Sequence, residues 1–166
     1  QDRERFTTDR EVQLNAVTPG FFATLGARIV AGRDFNEHDS LNVARVNQSL
    51  PVSESGQRVV IVNEAFVKRY FGGRSPLGAR VAMGSGPGAR PDTEIIGVVE
   101  NISYRSVREH WEQAYYPIGI ELSGSNFYVR FRGTPDSAFL SLRKILRDAD
   151  PSLPISYFRT LDEQID

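Results

Sequence analysis

Apolar and polar positions alternate from the tenth residue onward. Val12, Leu14 and Ala16 share one side and Gln13 and Asn15 the other, which predicts a half-buried strand. Thr18-Pro19 then predicts a helix start, with Thr18 as N-cap and Pro19 at the first helical position, where a missing N–H costs nothing. Phe21, Phe22 and Leu25 give that short helix one buried face, and Gly26 suits its left-handed C-terminal position. A second extended segment is expected over 28–35, broken at Gly32. Residues 36–57 lack periodicity and read as a long loop. The unbroken β-branched run Val59-Val60-Ile61-Val62 predicts a strand buried on both faces. Asn63 is placed to cap the helix that follows, whose Phe66, Val67, Tyr70 and Phe71 face the core before Gly72-Gly73 ends it.

Ser75-Pro76-Leu77-Gly78 predicts a turn into a short strand over 80–83, and the glycines between 84 and 88 a flexible hairpin connection. Strands are expected over 93–99, 113–118 and 125–132; in the last, Phe127, Val129 and Phe131 alternate against Tyr128, Arg130 and Arg132. Thr134-Pro135-Asp136 opens the longest helix, with Ala138, Leu142, Ile145, Leu146 and Ala149 as its apolar stripe and Asp150-Pro151 as its stop. Leu153, Ile155 and Tyr157 predict a last strand. Thr160-x-x-Glu163 is a capping box, the start of a helix that either frays at Asp166 or continues past it. The order predicts an α+β domain in which β-α-β units from both chain ends (1–73 and 123–166) fold together around an inserted β-rich subdomain (74–122).

Composition narrows the function classes. A formal net charge of −1, with twenty basic and twenty-one acidic residues interspersed, argues against nucleic acid as a partner. The absence of cysteine removes disulfides, thiolate metal sites and cysteine nucleophiles together. No apolar run approaches the roughly 20 residues of a membrane span. A chain opening on Gln1 reads as a piece trimmed from something larger.

Catalytic chemistry finds little support. His38, in Asn36-Glu37-His38-Asp39, and His110, before Trp111, both read as surface residues rather than acid/base or metal groups. Asp34 is expected to cap a turn or pair with an arginine, and no second acid stands at glycosidase spacing. There is no Gly-x-Ser-x-Gly elbow. Gly84-x-Gly86-x-Gly88 lacks the spacing and the following helix of a phosphate loop. The triplets at Asn47 and Asn101 match the glycosylation pattern only at chance level. The reading is no catalytic residue, no cofactor and no metal. The most suggestive side chains are Tyr104, Arg105, Arg108 and Trp111, residue types that anchor binding interfaces. Tyr115 and Tyr116 are expected to straddle a strand, one ring in and one out.

Five phrases carry a resemblance. Val17-Thr18-Pro19-Gly20-Phe21-Phe22-Ala23-Thr24-Leu25-Gly26 and Gly32-Arg33-Asp34-Phe35 come first, then Val60-Ile61-Val62-Asn63-Glu64-Ala65-Phe66 with Phe71-Gly72-Gly73 and Ser75-Pro76-Leu77-Gly78. Glu94-Ile95-Ile96-Gly97-Val98-Val99 and Asp150-Pro151-Ser152-Leu153-Pro154 complete the order. Together they resemble the MacB-like periplasmic core domain of ABC-transporter permeases, over about residues 10–166, and look closest to the duplicated MacB/FtsX-type permeases of acidobacteria. The resemblance implies a porter-like α+β subdomain with an inserted, Sabre-like one. It also implies a place between two membrane helices, on the extracytoplasmic face of the bacterial inner membrane. Implied partners are the protein's own transmembrane helices and a cytoplasmic ATPase that moves the domain in efflux or export. A permease dimer and a periplasmic adaptor or substrate are further candidates. The chain has no Walker A sequence of its own. The competing reading is a stand-alone extracytoplasmic protein that binds a small ligand in an apolar pocket, and a third is a hydrolase using His38 or His110.

Overall fold

In a computed structural model, the residues described are 12–40, 58–82, 89–102, 111–118, 126–152, 158–161 and 163. The elements are β1 (Gln13–Val17), α1 (Phe21–Leu25), β2 (Ile29–Gly32), β3 (Arg58–Asn63), α2 (Glu64–Phe71), β4 (Arg80–Ala82), β5 (Pro91–Val99), β6 (Gln113–Pro117) and α3 (Pro135–Ala149). The chain forms two compact units, Gln1–Ile102 with His110–Tyr128, and Ser103–Glu109 with Val129–Asp166. The expected lead-in before the first strand, most of the 36–57 loop, the glycine-rich connection and the strand around Ile155 lie outside the described residues.

The first unit is built on one mixed sheet in the order β1-β6-β3-β5-β2, with β4 also paired to β5. β3 runs parallel to β5 and antiparallel to β6, and β6 runs parallel to β1. β2 and β4 both join β5 antiparallel. Strands from the 74–122 stretch, which sequence pattern alone sets apart, are thus interleaved with those from 13–63. The cause is β3. Its residues 59–62 are all buried, so it needs a neighbour on each edge and cover on each face. β5 and β6 supply the edges and the helices supply the cover.

On one face α1 lays Phe22 against Val17, Phe35, Val59, Ile61, Val99 and Tyr115. On the other, α2 lays Phe66 against Val60, Val62, Ile95, Val98 and Ala114, with Val67, Tyr70 and Phe71 packed beside it. The α2 pattern is as its sequence predicts, including Asn63 as N-cap and the left-handed Gly72.

Three local expectations are corrected. Helix α1 begins at Phe21, not Pro19, because Gly20 adopts φ 82° and Thr18-Pro19-Gly20 forms a turn closed by the Phe21 N–H on the Thr18 carbonyl at 3.2 Å. In β1 the sides are exchanged: Leu14 is 52% exposed while Val17 is buried. The register sets Asn15 opposite the buried Tyr115 on the α1 face and Leu14 opposite Ala114 on the α2 face, and β1 is an edge strand, where Leu14 stays open to solvent. Residues 126–131 form no strand; Phe127 is 79% exposed, and the Tyr128 ring packs edge-on against Phe21 at 5.5 Å instead. Alternation permits a strand, but a hydrogen-bonded neighbour is needed to make one.

In the second unit α3 starts as expected, the Ser137 N–H donating to Thr134 Oγ1 at 3.4 Å and Pro135 following the cap. Its half-buried positions are Ala138, Phe139, Leu142 and Leu146, whereas Ile145 is exposed. Phe139 contacts Phe158 at 5.3 Å between ring centroids, and the Arg143 guanidinium lies 5.2 Å from the same ring. The capping box forms reciprocally: the Thr160 N–H donates to Glu163 Oε2 at 2.8 Å, and the Glu163 N–H donates to Thr160 Oγ1 at 3.2 Å.

Candidate functional site

Two polar clusters in the first unit could carry function, and the geometry separates them. The first follows β2. Gly32 ends that strand at φ 73°, and the Arg33 N–H donates to the Ile96 carbonyl at 3.1 Å. The chain then turns into a helical turn over 37–40, capped by Asn36, whose Oδ1 accepts from the N–H groups of His38 and Asp39. This brings Arg33 onto the buried Asp39 as a two-pronged pair, with N···O distances of 2.7 and 3.0 Å. The Asn36 N–H adds a third hydrogen bond to Asp39 at 2.9 Å. The Asp39 carboxylate is therefore committed to holding the loop. His38 contributes its backbone to that cap. Asp34 caps its own turn, accepting from the Phe35 N–H at 2.7 Å. Among the described residues, no group of three His, Cys, Asp or Glu could hold a metal ion.

The two aspartates are pushed in opposite directions. Burial is the largest influence on Asp39 and opposes its ionisation, but the hydrogen bonds from Arg33 and the Asn36 backbone, with the charge of Arg33, hold it below its ordinary value. Burial also raises Asp34; the Phe35 N–H lowers it, and the neighbouring Asp39 charge raises it again. The stabilisation from Asp39 is thus present above the unfolded carboxylate pKa of about 3.9 and lost as pH falls through the lower folded value. For Asp34 the sign reverses, and its contribution is lost as pH rises through the raised folded value. Urea unfolding across the acid range is expected to show a shallower acid loss in Asp39→Asn, and greater stability at neutral pH in Asp34→Asn. Arg33→Ala strands a buried charge and is expected to cost about 1–2 kcal/mol. That is less than for a fully buried pair, because the guanidinium is half exposed.

The second cluster lies where β3 meets α2 and where the chain enters β6. Asn63, 1% exposed, is its centre. Its Oδ1 accepts from the Phe66 N–H and the Gln113 N–H, both at 3.0 Å, and its Nδ2 donates to the Trp111 carbonyl at 2.8 Å. One amide therefore caps α2, anchors the start of β6 and holds the residue before it. Asn101 Oδ1 accepts from the next helical N–H, that of Ala65, at 2.9 Å. Glu112 reaches Arg69 of α2 at 3.4 Å, and the Arg69 guanidinium lies 5.8 Å from the Tyr70 ring. Below this, the Tyr115 hydroxyl donates to the buried Gln113 Oε1 at 2.6 Å, and its ring meets Phe22 edge-on at 5.0 Å.

Trp111 is 38% exposed, its carbonyl held by Asn63. Tyr115 is fully buried and Tyr116 half-buried, the in-and-out pair that their adjacency predicts. Tyr104, Arg105, Arg108 and His110 lie outside the described residues. Arg69 and Glu112 carry no local sign of their pairing, since the residues are far apart in sequence. Asn63 was legible as a cap and not as the tie to Trp111 and Gln113, 48 and 50 residues away.

With that geometry in hand, comparison with known proteins is informative. The sequence matches the family described as MacB-like periplasmic core domain over residues 2–144. The periplasmic region of MacB from Actinobacillus actinomycetemcomitans is similar in structure, with a TM-score of 0.52 at 21% identity. The match covers 82% of this chain and 56% of that one, so the chain spans just over half the length of that relative. The extracellular domain of the noncanonical ABC-type transporter YknZ from Gram-positive bacteria is also similar, with a TM-score of 0.52 at 22% identity over 90% of this chain and 71% of that one. At these identities the likeness is one of fold, a mixed sheet in an α+β domain. No match was found among curated proteins.

Proposed function

This chain belongs to the family of MacB-like periplasmic core domains, and on that premise we propose that it is the extracytoplasmic module of a MacB/FtsX-type ABC-transporter permease. The observation that carries the reading is the family match across residues 2–144, most of the chain. In this role the domain is non-catalytic. It is joined to transmembrane helices, moved by ATP hydrolysis in a cytoplasmic subunit or domain, and passes that motion to a substrate or partner outside the membrane. The fold suits mechanical work: a sheet braced on both faces by α1 and α2 moves as a block, because close-packed interiors transmit strain rather than absorb it.

The contact residues we assign are Trp111 and, by residue type alone, Tyr104, Arg105 and Arg108. A partly exposed tryptophan is the residue type of an interface anchor. The small-ligand reading needs a deep apolar pocket, and no observation favours it over the permease role.

The test is topology. In spheroplasts expressing the intact gene product, protease added from outside is expected to digest this domain while the membrane-embedded remainder stays protected. Digestion only from the cytoplasmic side of inverted vesicles, or recovery of the intact protein in the soluble fraction, would reject the permease reading.

A further inference from the structure

We infer that Asn63 and Asn101 form a twin clamp on the first turn of α2, tying to that one turn both places where the chain leaves and re-enters the first unit. The inference stands on the geometry and does not depend on the transport role proposed above. The chain leaves the first unit after Ile102 and returns to it at His110, and Ser103–Glu109 belong to the second unit. Each crossing is flanked by residues bound to α2 or to its cap. On the way out, Asn101 Oδ1 accepts from the Ala65 N–H at 2.9 Å. On the way back, three consecutive residues are held. The Trp111 carbonyl accepts from Asn63 Nδ2, the Glu112 carboxylate pairs with Arg69 of α2, and the Gln113 N–H donates to Asn63 Oδ1.

The two asparagines meet on neighbouring donors. Ala65 and Phe66 follow each other in the first turn, where a helix leaves its N–H groups without partners of its own. Asn101 takes the first of them and Asn63 the second. A helix start is ordinarily served by one capping side chain, and Asn63 already fills that place. Asn101 comes from beyond the end of β5, so its bond joins a distant stretch of chain to the same turn. The shared oxygen of Asn63 then makes the two ties interdependent. It accepts from Phe66 in the helix and from Gln113 at the start of β6. If Asn101 lets go, the first turn frays, Phe66 shifts, and the oxygen that also holds Gln113 loses its fixed place. Loosening at the exit therefore reaches the return through a single helical turn.

Amide hydrogen exchange in Asn101→Ala tests this. Exchange at Ala65 is expected to quicken about fivefold, the equivalent of one lost cap. Exchange at Phe66 and Gln113, whose acceptor is Asn63, is expected to quicken about twofold or more, since local opening takes neighbouring groups with it. The Ile95 N–H, bonded to the Ala79 carbonyl, serves as the control and should keep its parental rate. Quickening at Ala65 alone would make Asn101 an independent cap and overturn the clamp. Equal quickening at Ile95 would make the effect a general loss of stability and overturn it too. A double-mutant cycle gives a second reading. The losses in melting temperature from Asn101→Ala and Asn63→Ser should sum to more than the loss in the double variant, because the second change meets a clamp already open. Simple additivity would reject the coupling. Should Asn101→Ala fail to fold, Asn101→Ser carries the same comparison, its oxygen falling short of the Ala65 N–H.

Discussion

Gly32→Ala is expected to destabilise the domain by about 2–5 kcal/mol, a large fraction of the ~5–15 kcal/mol that typically separates folded from unfolded chains. Two costs combine. The residue holds φ 73°, a left-handed conformation that costs an alanine about 1–2 kcal/mol. A Cβ built there would also overlap the Ile96 carbonyl oxygen and come within 2.9 Å of the Gly97 Cα and 2.8 Å of Leu77 Cδ2. The leucine can swing away, but the backbone of β5 cannot, and overpacking of that kind adds roughly 1–3 kcal/mol. Gly32 and Gly97 lie opposite each other in the β2–β5 ladder, and a Cβ on Gly97 would meet the Arg33 carbonyl oxygen. Each glycine therefore lets the other strand approach. Urea unfolding should show the loss as a lowered midpoint with little change in slope. Because β2 delivers Arg33 to Asp39, the acid sensitivity of the variant should change as well. An unfolding free energy within about 1 kcal/mol of the parent would mean that β2 does not approach β5 this closely.

Asn63→Ala is expected to cost about 2–4 kcal/mol. Loss of the α2 cap accounts for about 1 kcal/mol. The Gln113 N–H then loses its partner in a buried place, at roughly 1–3 kcal/mol, and the Trp111 carbonyl loses its own in a part-buried one, where water offsets much of the loss. The melting temperature should fall accordingly, and amide exchange should quicken at Phe66 and Gln113 together. Exchange that quickens at Phe66 alone would identify Asn63 as a helix cap and nothing more.

Both predictions concern residues whose type, but not whose partner, could be read along the chain. Gly32 was recognisable as a break in an extended segment, and Asn63 as a helix cap. Arg33 and Asp39 lie six residues apart, yet the Asn-Glu-His-Asp stretch read as solvated loop. The buried carboxylate is explained by a turn that only the seating of β2 against β5 brings about. Trp111 was picked out by residue type. The tie from its carbonyl to Asn63, 48 residues away, has no local sign in the sequence.

The sequence by itself determined the identity of most elements. Val59 to Val62 had to be a doubly buried strand, because four consecutive apolar β-branched residues leave no polar face. The start of α3, the cap of α2 and the reciprocal Thr160–Glu163 box followed from side chains that satisfy backbone groups only a few residues away. Such signals are local, so they survive in any tertiary setting. Tertiary structure decided the rest. It put β4, β5 and β6 in the same sheet as β1 to β3, since strand order depends on which edges β3 needs filled. It exposed Leu14 and buried Val17, because on an edge strand the cover laid over each face, and not alternation, decides which side chains are buried. It left 126–131 irregular, turning Tyr128 onto Phe21 where the pattern offered Phe127. Period-two alternation names two faces without saying which is inside. That choice belongs to the hydrogen-bonded neighbour and to the apolar surface waiting across the layer.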